Sequence, residues 1–171
     1  MKQTKKLVLD PCCGSRKFYF DKHNELVLFG DIRNESYVQC DGRTLRVCPD
    51  MLMDVTKLPF DDESYYLVVL DPPHLKYAGE NSFLRQSYGV LPQQHFDFIR
   101  KAFCECWRVL KPCGTLIFKW NTEQVPLKDV LTAIPVQPMI GERRPNGKTF
   151  WLVFFKAFST RSENFCLSCA E

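Results

Sequence analysis

The sequence predicts an α/β fold built on a mostly parallel sheet whose last strand enters antiparallel, and three observations carry that expectation. Short apolar runs recur along the chain and end on acidic residues, Asp10, Asp31, Asp54 and Asp71. Apolar residues spaced by three and four over 92–110 place an amphipathic helix between the fourth run and the fifth. The last two runs flank Asn146-Gly147, a turn dipeptide that joins antiparallel neighbours.

In chain order, Lys6-Leu7-Val8-Leu9-Asp10 reads as a buried strand and Pro11-Cys12-Cys13-Gly14-Ser15 as the turn after it. A strand entering a glycine-containing turn is how doubly wound sheets open a ligand crevice at their carboxyl ends. With one glycine and a leading carboxylate, this turn suits a cationic ligand better than a pyrophosphate. At about 4 Å and an effective dielectric near 20 that preference is on the order of 4 kcal/mol. Residues 25–31 form a second strand ending on Asp31, a position from which a carboxylate takes ribose hydroxyls in such sheets. Asp41-Gly42 between two short β-prone runs predicts an inserted hairpin over about 36–48. Residues 50–54 and 65–70 are the third and fourth strands. Four strands that each finish on Asp gather four carboxylates on one sheet edge, which is costly unless a ligand with donors or positive charge sits there.

Residues 75–91 lack periodicity, are rich in Gly, Asn and Ser, and carry Tyr77, Phe83, Tyr88, Lys76 and Arg85. A loop of that kind reads as a substrate lid. In the helix over 92–110, Phe96, Ile99, Phe103, Trp107 and Leu110 form the predicted core stripe, closed by Lys111-Pro112-Cys113-Gly114. A fifth strand over 115–120, a short helix near 127–132 and a final hairpin over 136–142 and 149–158 follow. Residues 159–171 read as a tail.

A chain of 171 residues forms one domain of about 1–158 plus that tail, with little room for a separate recognition domain. No run is apolar enough to span a bilayer and no cleavable signal pattern follows Met1, so a cytoplasmic protein without a membrane partner is expected. Nine cysteines, several inside apolar patterns (Cys48, Cys104, Cys106), read as reduced thiols. Only Cys166 and Cys169 have C-x-x-C spacing, short of a four-ligand zinc set, so no metal is predicted. A net charge of +3 permits an anionic partner without requiring one.

The fourth strand runs into Asp71-Pro72-Pro73-His74. Two consecutive prolines lack both backbone donors and lock both φ angles, which freezes the chain in an extended turn. Such a turn holds a carboxylate and free carbonyls at the mouth of the sheet, where they can grip an amino group.

Over residues 5–158 the sequence resembles the Rossmann-like class I S-adenosylmethionine-dependent methyltransferases. Asp10-Pro11-Cys12-Cys13-Gly14 looks like that family's first motif, Asp31 like its ribose-binding acid, Asp54 like the residue beside the adenine, and Arg108 to Gly114 like the turn before the fifth strand. The resemblance implies S-adenosyl-L-methionine as cofactor, held by Asp10, Pro11, Cys12, Gly14, Asp31, Ile32, Asp54, Val55 and Asp71. Asp71-Pro72-Pro73-His74 is similar to the (Asp/Asn/Ser)-Pro-Pro-aromatic motif of amino-methyltransferases that modify adenine N6 or cytosine N4, in the gamma order of motifs. It implies a catalytic set of Asp71, Pro72, Pro73 and His74, with Asp71 and the Pro72 carbonyl accepting the target N–H bonds and His74 stacking on the base. His74 stands where the group has Tyr, Phe or Trp, and imidazole titrates near neutral pH. Arg16 stands where many relatives have a second glycine. The expected partner is DNA or RNA, with a second subunit supplying target recognition. A small-molecule or protein amine as acceptor, and a non-catalytic cofactor-binding subunit, remain open alternatives at this point.

Overall fold

The structure, a computed structural model, describes residues 6–141 and 147–158. The strands are β1 (Val8–Asp10), β2 (Val27–Asp31), β3 (Glu35–Val38), β4 (Thr44–Val47), β5 (Met51–Leu52), β6 (Tyr65–Leu70), β7 (Leu110–Asn121), β8 (Ile140–Gly141) and β9 (Thr149–Phe155). The helices are α1 (Phe83–Tyr88), α2 (His95–Val109) and α3 (Leu127–Ala133). Seven strands form one sheet in the order β5-β2-β1-β6-β7-β9-β8, and β3 and β4 form a separate antiparallel ribbon. All neighbours from β5 to β7 are parallel, whereas β9 runs antiparallel to both β7 and β8. From β1 the chain winds one way to β2 and β5 and the other way to β6 and β7. The carboxyl ends of β1 and β6 therefore flank the point where the winding reverses, which is where such sheets open a crevice.

The central strands are apolar because they are covered. Leu9, Val68, Leu70, Leu116, Phe118, Trp120 and Phe154 share one buried cluster with Ile99, Ala102, Phe103, Cys106 and Val109 of α2 and Val130 of α3. The helix begins at His95 and not at 92, and Phe96, placed in the core stripe from its spacing, is 41% exposed. Ala102 and Cys106 complete the stripe that Phe96 leaves, since small side chains let α2 settle closer to the sheet. Both helices lie in this one cluster. The opposite face near β1 and β2 carries a smaller cluster, Cys13, Val27 and Phe29, covered by Tyr19 from the β1–β2 connection. That connection forms turns and no helix, with Phe18 stacked on Tyr19 at 4.8 Å and Tyr19 edge-on to Phe29 at 4.7 Å.

Two further expectations change. Lys111 to Gly114 does not close the helix as a loop but opens β7, because Cys113 N–H donates to Lys156 O and Lys156 N–H donates to Gly114 O, extending the pairing with β9's chain. Residues 75–91 contain α1, capped by the Ser82 hydroxyl accepting from Arg85 N–H, with Ser87 buried. Cys48 is exposed just past β4, and it is a free thiol, as are Cys12, Cys13, Cys40, Cys106 and Cys113. Among the described residues no group of His, Cys, Asp and Glu could hold a metal, and no helix is long and apolar enough to cross a membrane. The tail over 159–171 with Cys166 and Cys169, and the predicted turn dipeptide's Asn146, lie outside the described residues.

One arginine fastens the segment between β5 and β6 to α2. Arg108 donates to Leu58 O at 3.1 Å, Phe60 O at 2.8 Å, Asp62 Oδ1 at 2.8 Å and both oxygens of Glu105 at 2.8 Å, while Leu58 N–H donates to Glu105 Oε2. Arg108→Met removes this donor from two carbonyls and from the carboxylates of Glu105 and Asp62, so denaturant unfolding should show a loss of roughly 2–4 kcal/mol. A loss below about 0.5 kcal/mol, the range of an ordinary surface change, would contradict this role.

Candidate active site

A cavity of about 440 Å³ lies across the carboxyl ends of the parallel strands. Following the strand order, it is lined by Asp54 and Val55 after β5, Asp31 and Ile32 at β2, Pro11, Cys12 and Gly14 after β1, Asp71 and Pro73 after β6, and Lys119 of β7. Ser87, Tyr88 and Gly89, at the end of α1, form the facing wall. Nine of the residues singled out from the sequence thus share one cavity. Asp10, Pro72 and His74 do not line it.

Asp10 lies beneath the floor, fully buried, with Oδ1 accepting from Cys12 N–H at 3.1 Å. Its Oδ2 has no hydrogen-bond partner, and the nearby Tyr19 hydroxyl is likewise buried outside bonding geometry. Burial pushes the Asp10 carboxyl up to about 8, so it is largely protonated at neutral pH. The attraction for a cationic ligand expected from Asp10 is therefore not supplied by this residue in the free protein.

Gly14 sits at φ +50°, and a Cβ there would come within 3.3 Å of Ser87 O, so the turn and the close approach of α1 both favour glycine. Its N–H donates to Asp31 Oδ2 at 2.9 Å. Arg33 covers the rest of that carboxylate, with its backbone N–H at 3.0 Å and Nε at 3.2 Å from Oδ1, and its Nη1 reaches on to Gln86 O at 3.0 Å. The ribose acid expected from the sequence is thus tied to the wall formed by α1. Asp54 Oδ1 accepts from the backbone and hydroxyl of Thr56 at 2.8 and 2.7 Å, which folds the β5–β6 connection back under the cavity. Arg16, in the place of a second glycine, adopts φ +54° and is held by bonds to Lys22 O, Cys48 O and Asp50 Oδ1.

Asp71 has a side chain 8% exposed and an ion pair from Oδ2 to Lys119 Nζ at 2.6 Å. Burial raises its pKa, and Lys119 opposes the rise through charge and hydrogen bond. The Lys119 ammonium lies 5.3 to 5.8 Å from the ring centres of Phe18, Tyr88 and Trp151. His74 is buried at 7%, tilted against Tyr88 at 4.9 Å and edge-on to Trp120 at 6.4 Å. Burial lowers it to about 4, so the imidazole is neutral at physiological pH and the neutral-range titration expected from its type does not arise. The aromatic residues on the cavity are instead Phe18, Tyr88 and Phe98. Lys119 was legible in principle, being a lysine on the outward alternation of an otherwise apolar strand (Leu116, Phe118, Trp120), level with the Asp-Pro-Pro turn. Phe18 and Arg33 carry no such signal.

No protein-family profile and no curated protein sequence matches the chain. Among solved structures it is similar to the PH0226 protein of Pyrococcus horikoshii OT3, with 15% identity, 92% of this chain and 85% of that one covered, and a TM-score of 0.55. It is similar also to a SAM-dependent methyltransferase of Methanosarcina mazei, with 12% identity, 93% and 95% covered, and a TM-score of 0.51. The fold is that of the class I methyltransferases, a mostly parallel seven-stranded sheet with an antiparallel strand near its edge.

Asp10 makes a pH prediction. Its carboxyl binds a proton more tightly folded than unfolded, so between about pH 4 and pH 8 the folded state holds the extra proton and stability falls as pH rises. Asp10→Asn keeps the neutral form throughout, so its melting temperature should exceed that of the natural protein by more than about 2 °C at pH 8, with the gap closing near pH 4. A gap that widens toward low pH would contradict the assignment.

Proposed function

We propose that the protein is an S-adenosylmethionine-dependent methyltransferase that acts on an exocyclic amino nitrogen of a nucleic-acid base, of the adenine N6 or cytosine N4 kind. The observation that carries this reading is Asp71, a carboxylate held by the two-proline turn at the mouth of β6 and lining a cavity with Phe18, Tyr88 and Pro73. The donor set fits the cofactor. Asp31 and Asp54 are acceptors suited to ribose and adenine edges, Ile32, Met53, Val55 and Phe98 are apolar walls for a purine, and Lys17 suits the carboxylate of an amino-acid end. Ribose hydroxyls would share Asp31 with Arg33 or displace it. When bound, the cofactor supplies an electrophilic methyl group on a sulfonium.

The chain's own residues do the rest. Lys119 occupies Asp71 Oδ2, which leaves Oδ1 to accept an N–H of the target amine. That bond aims the nitrogen lone pair and increases its electron density, and the proton lost after transfer passes to solvent. Phe18 and Tyr88 present rings on which a base can stack, the role the sequence suggests for His74. His74 supports Tyr88 from behind. Residues 75–91 act as a substrate lid in this reading, with the end of α1 over the cavity.

The test is transfer from tritiated cofactor to separate pools of DNA, RNA and protein. Label should enter a nucleic-acid pool, and Asp71→Ala should lower turnover by about 100-fold or more with cofactor affinity nearly unchanged, the pattern of an interaction made with substrate in the transition state. Label confined to protein, or full turnover by Asp71→Ala, would contradict the reading.

A further inference from the structure

A second cavity, of about 770 Å³, lies beside the first and shares Gly14, Ser15 and Lys17 with it. Its walls come from the β1–β2 connection, the β3–β4 ribbon and Phe83 of α1. Five lysines and arginines line it (Arg16, Lys17, Lys22, Arg43 and Arg46) together with His23, against a single carboxylate, Asp50, which Arg16 already neutralises at 2.8 Å. Lys22, Arg43 and Arg46 are exposed, and among the described residues the only acidic partner of the three is Asp41 on Arg43, itself at the exposed ribbon tip. Lys17, on the wall between the two cavities, has its pKa lowered first by burial and then by the neighbouring Lys119 and Lys22, with Asp71 acting in the opposite direction.

Lys17 apart, nothing in the cofactor site calls for this charge, since Arg16, Lys22, Arg43 and Arg46 line the second cavity and not the first. The ribbon that carries Arg43 and Arg46 is separate from the main sheet and is braced against α1 by Gln39 Nε2 donating to Gln86 Oε1 at 2.8 Å. Phe83 is 48% exposed at the cleft, with Lys17 Nζ over its ring at 4.3 Å. A basic channel with one half-exposed aromatic ring, leading into a pocket that takes a base, has the chemistry of a track for a nucleic-acid backbone.

We propose that this cleft binds the sugar–phosphate backbone of a single strand next to the target nucleotide, with Lys22, Arg43 and Arg46 neutralising phosphates and Phe83 stacking a neighbouring base. The inference rests on the nucleic-acid reading above and specifies where the strand lies. A single strand is favoured because Phe83 can stack only on a base already unstacked from its neighbours.

The test uses the full chain with saturating S-adenosylhomocysteine and a fluorescein-labelled short single-stranded DNA, with the matching RNA as a second arm, in an anisotropy titration at several salt concentrations. Every cation that no longer neutralises a phosphate of the single strand should reduce the slope of log affinity against log salt by about 0.7, so Lys22→Ala/Arg43→Ala/Arg46→Ala should reduce it by about 2 and weaken binding about tenfold or more. Phe83→Leu should weaken binding at every salt concentration without changing the slope, and Phe83→Tyr should restore it. Melting temperature and S-adenosylhomocysteine affinity should stay as in the natural protein for all of these variants. The arm bound more tightly identifies DNA or RNA as the source of the strand. If the natural protein binds either strand and the triple variant binds it with the same affinity and slope, the strand lies elsewhere and this inference fails while the methyl-transfer reading stands. If the natural protein binds neither strand and transfers label to neither, the methyl-transfer reading itself fails and this inference falls with it.

Discussion

The ion pair between Asp71 and Lys119 is the interaction on which the site depends. A carboxylate buried at the mouth of a sheet loses hydration that only a close, opposite charge can replace, and without it the group protonates. The register of β6 and β7, with Leu70 opposite Phe118, brings the next residues, Asp71 and Lys119, alongside one another. The two prolines stop β6 there and hold the carboxylate at the edge, where a further residue of strand would have carried it into the ladder. Lys119 is in turn surrounded by the rings of Phe18, Tyr88 and Trp151, drawn from the β1–β2 connection, α1 and β9. Three separate parts of the chain thus converge on one ammonium, and their positions relative to the carboxylate fix the shape of the cavity.

The same economy appears in how α1 is placed. Arg33 joins Asp31 to the carbonyl of Gln86, Lys17 Nζ donates to Ser87 Oγ at 3.0 Å, and Gln39 joins the ribbon to Gln86. The Asp31 side of the cavity, its wall and the basic cleft are therefore linked through one six-residue helix that is too short to be stable alone. A ligand that competes for Asp31 acts on the same bonds that hold this wall, which couples filling of the cavity to the position of residues 75–91.

The parallel strands and the antiparallel last pair were legible because each strand is a short apolar run with a clear stop, and because the dipeptide Asn146-Gly147 stands between the last two runs. The grouping of Asp31, Asp54 and Asp71 on one edge followed from strand ends alone. What sequence pattern could not give are effects set by burial and tertiary contact. Asp10 reads as a negative charge, yet enclosure beneath Cys12 and beside Tyr19 keeps it protonated. His74 reads as a neutral-range titrator on the substrate, yet Tyr88 and Trp120 enclose it. The helix α1 has no apolar periodicity of its own and exists because Ser82 caps it and Arg33, Lys17 and Gln39 hold its end. Between β1 and β2 a doubly wound sheet would carry a helix, but the aromatic side chains at Phe18 and Tyr19 cover the sheet from turns.

The claim that a lysine-supported carboxylate at Asp71 accepts the target amine is tested most directly by the pH dependence of single-turnover methyl transfer. The expected profile has an acidic limb set by protonation of Asp71 that moves to higher pH in Lys119→Met, because burial then raises the carboxyl with the Lys119 charge and hydrogen bond gone. Lys119→Arg, which keeps the charge, should return the limb most of the way. An acidic limb that is the same in all three proteins, or one that moves down when Lys119 is removed, would contradict it.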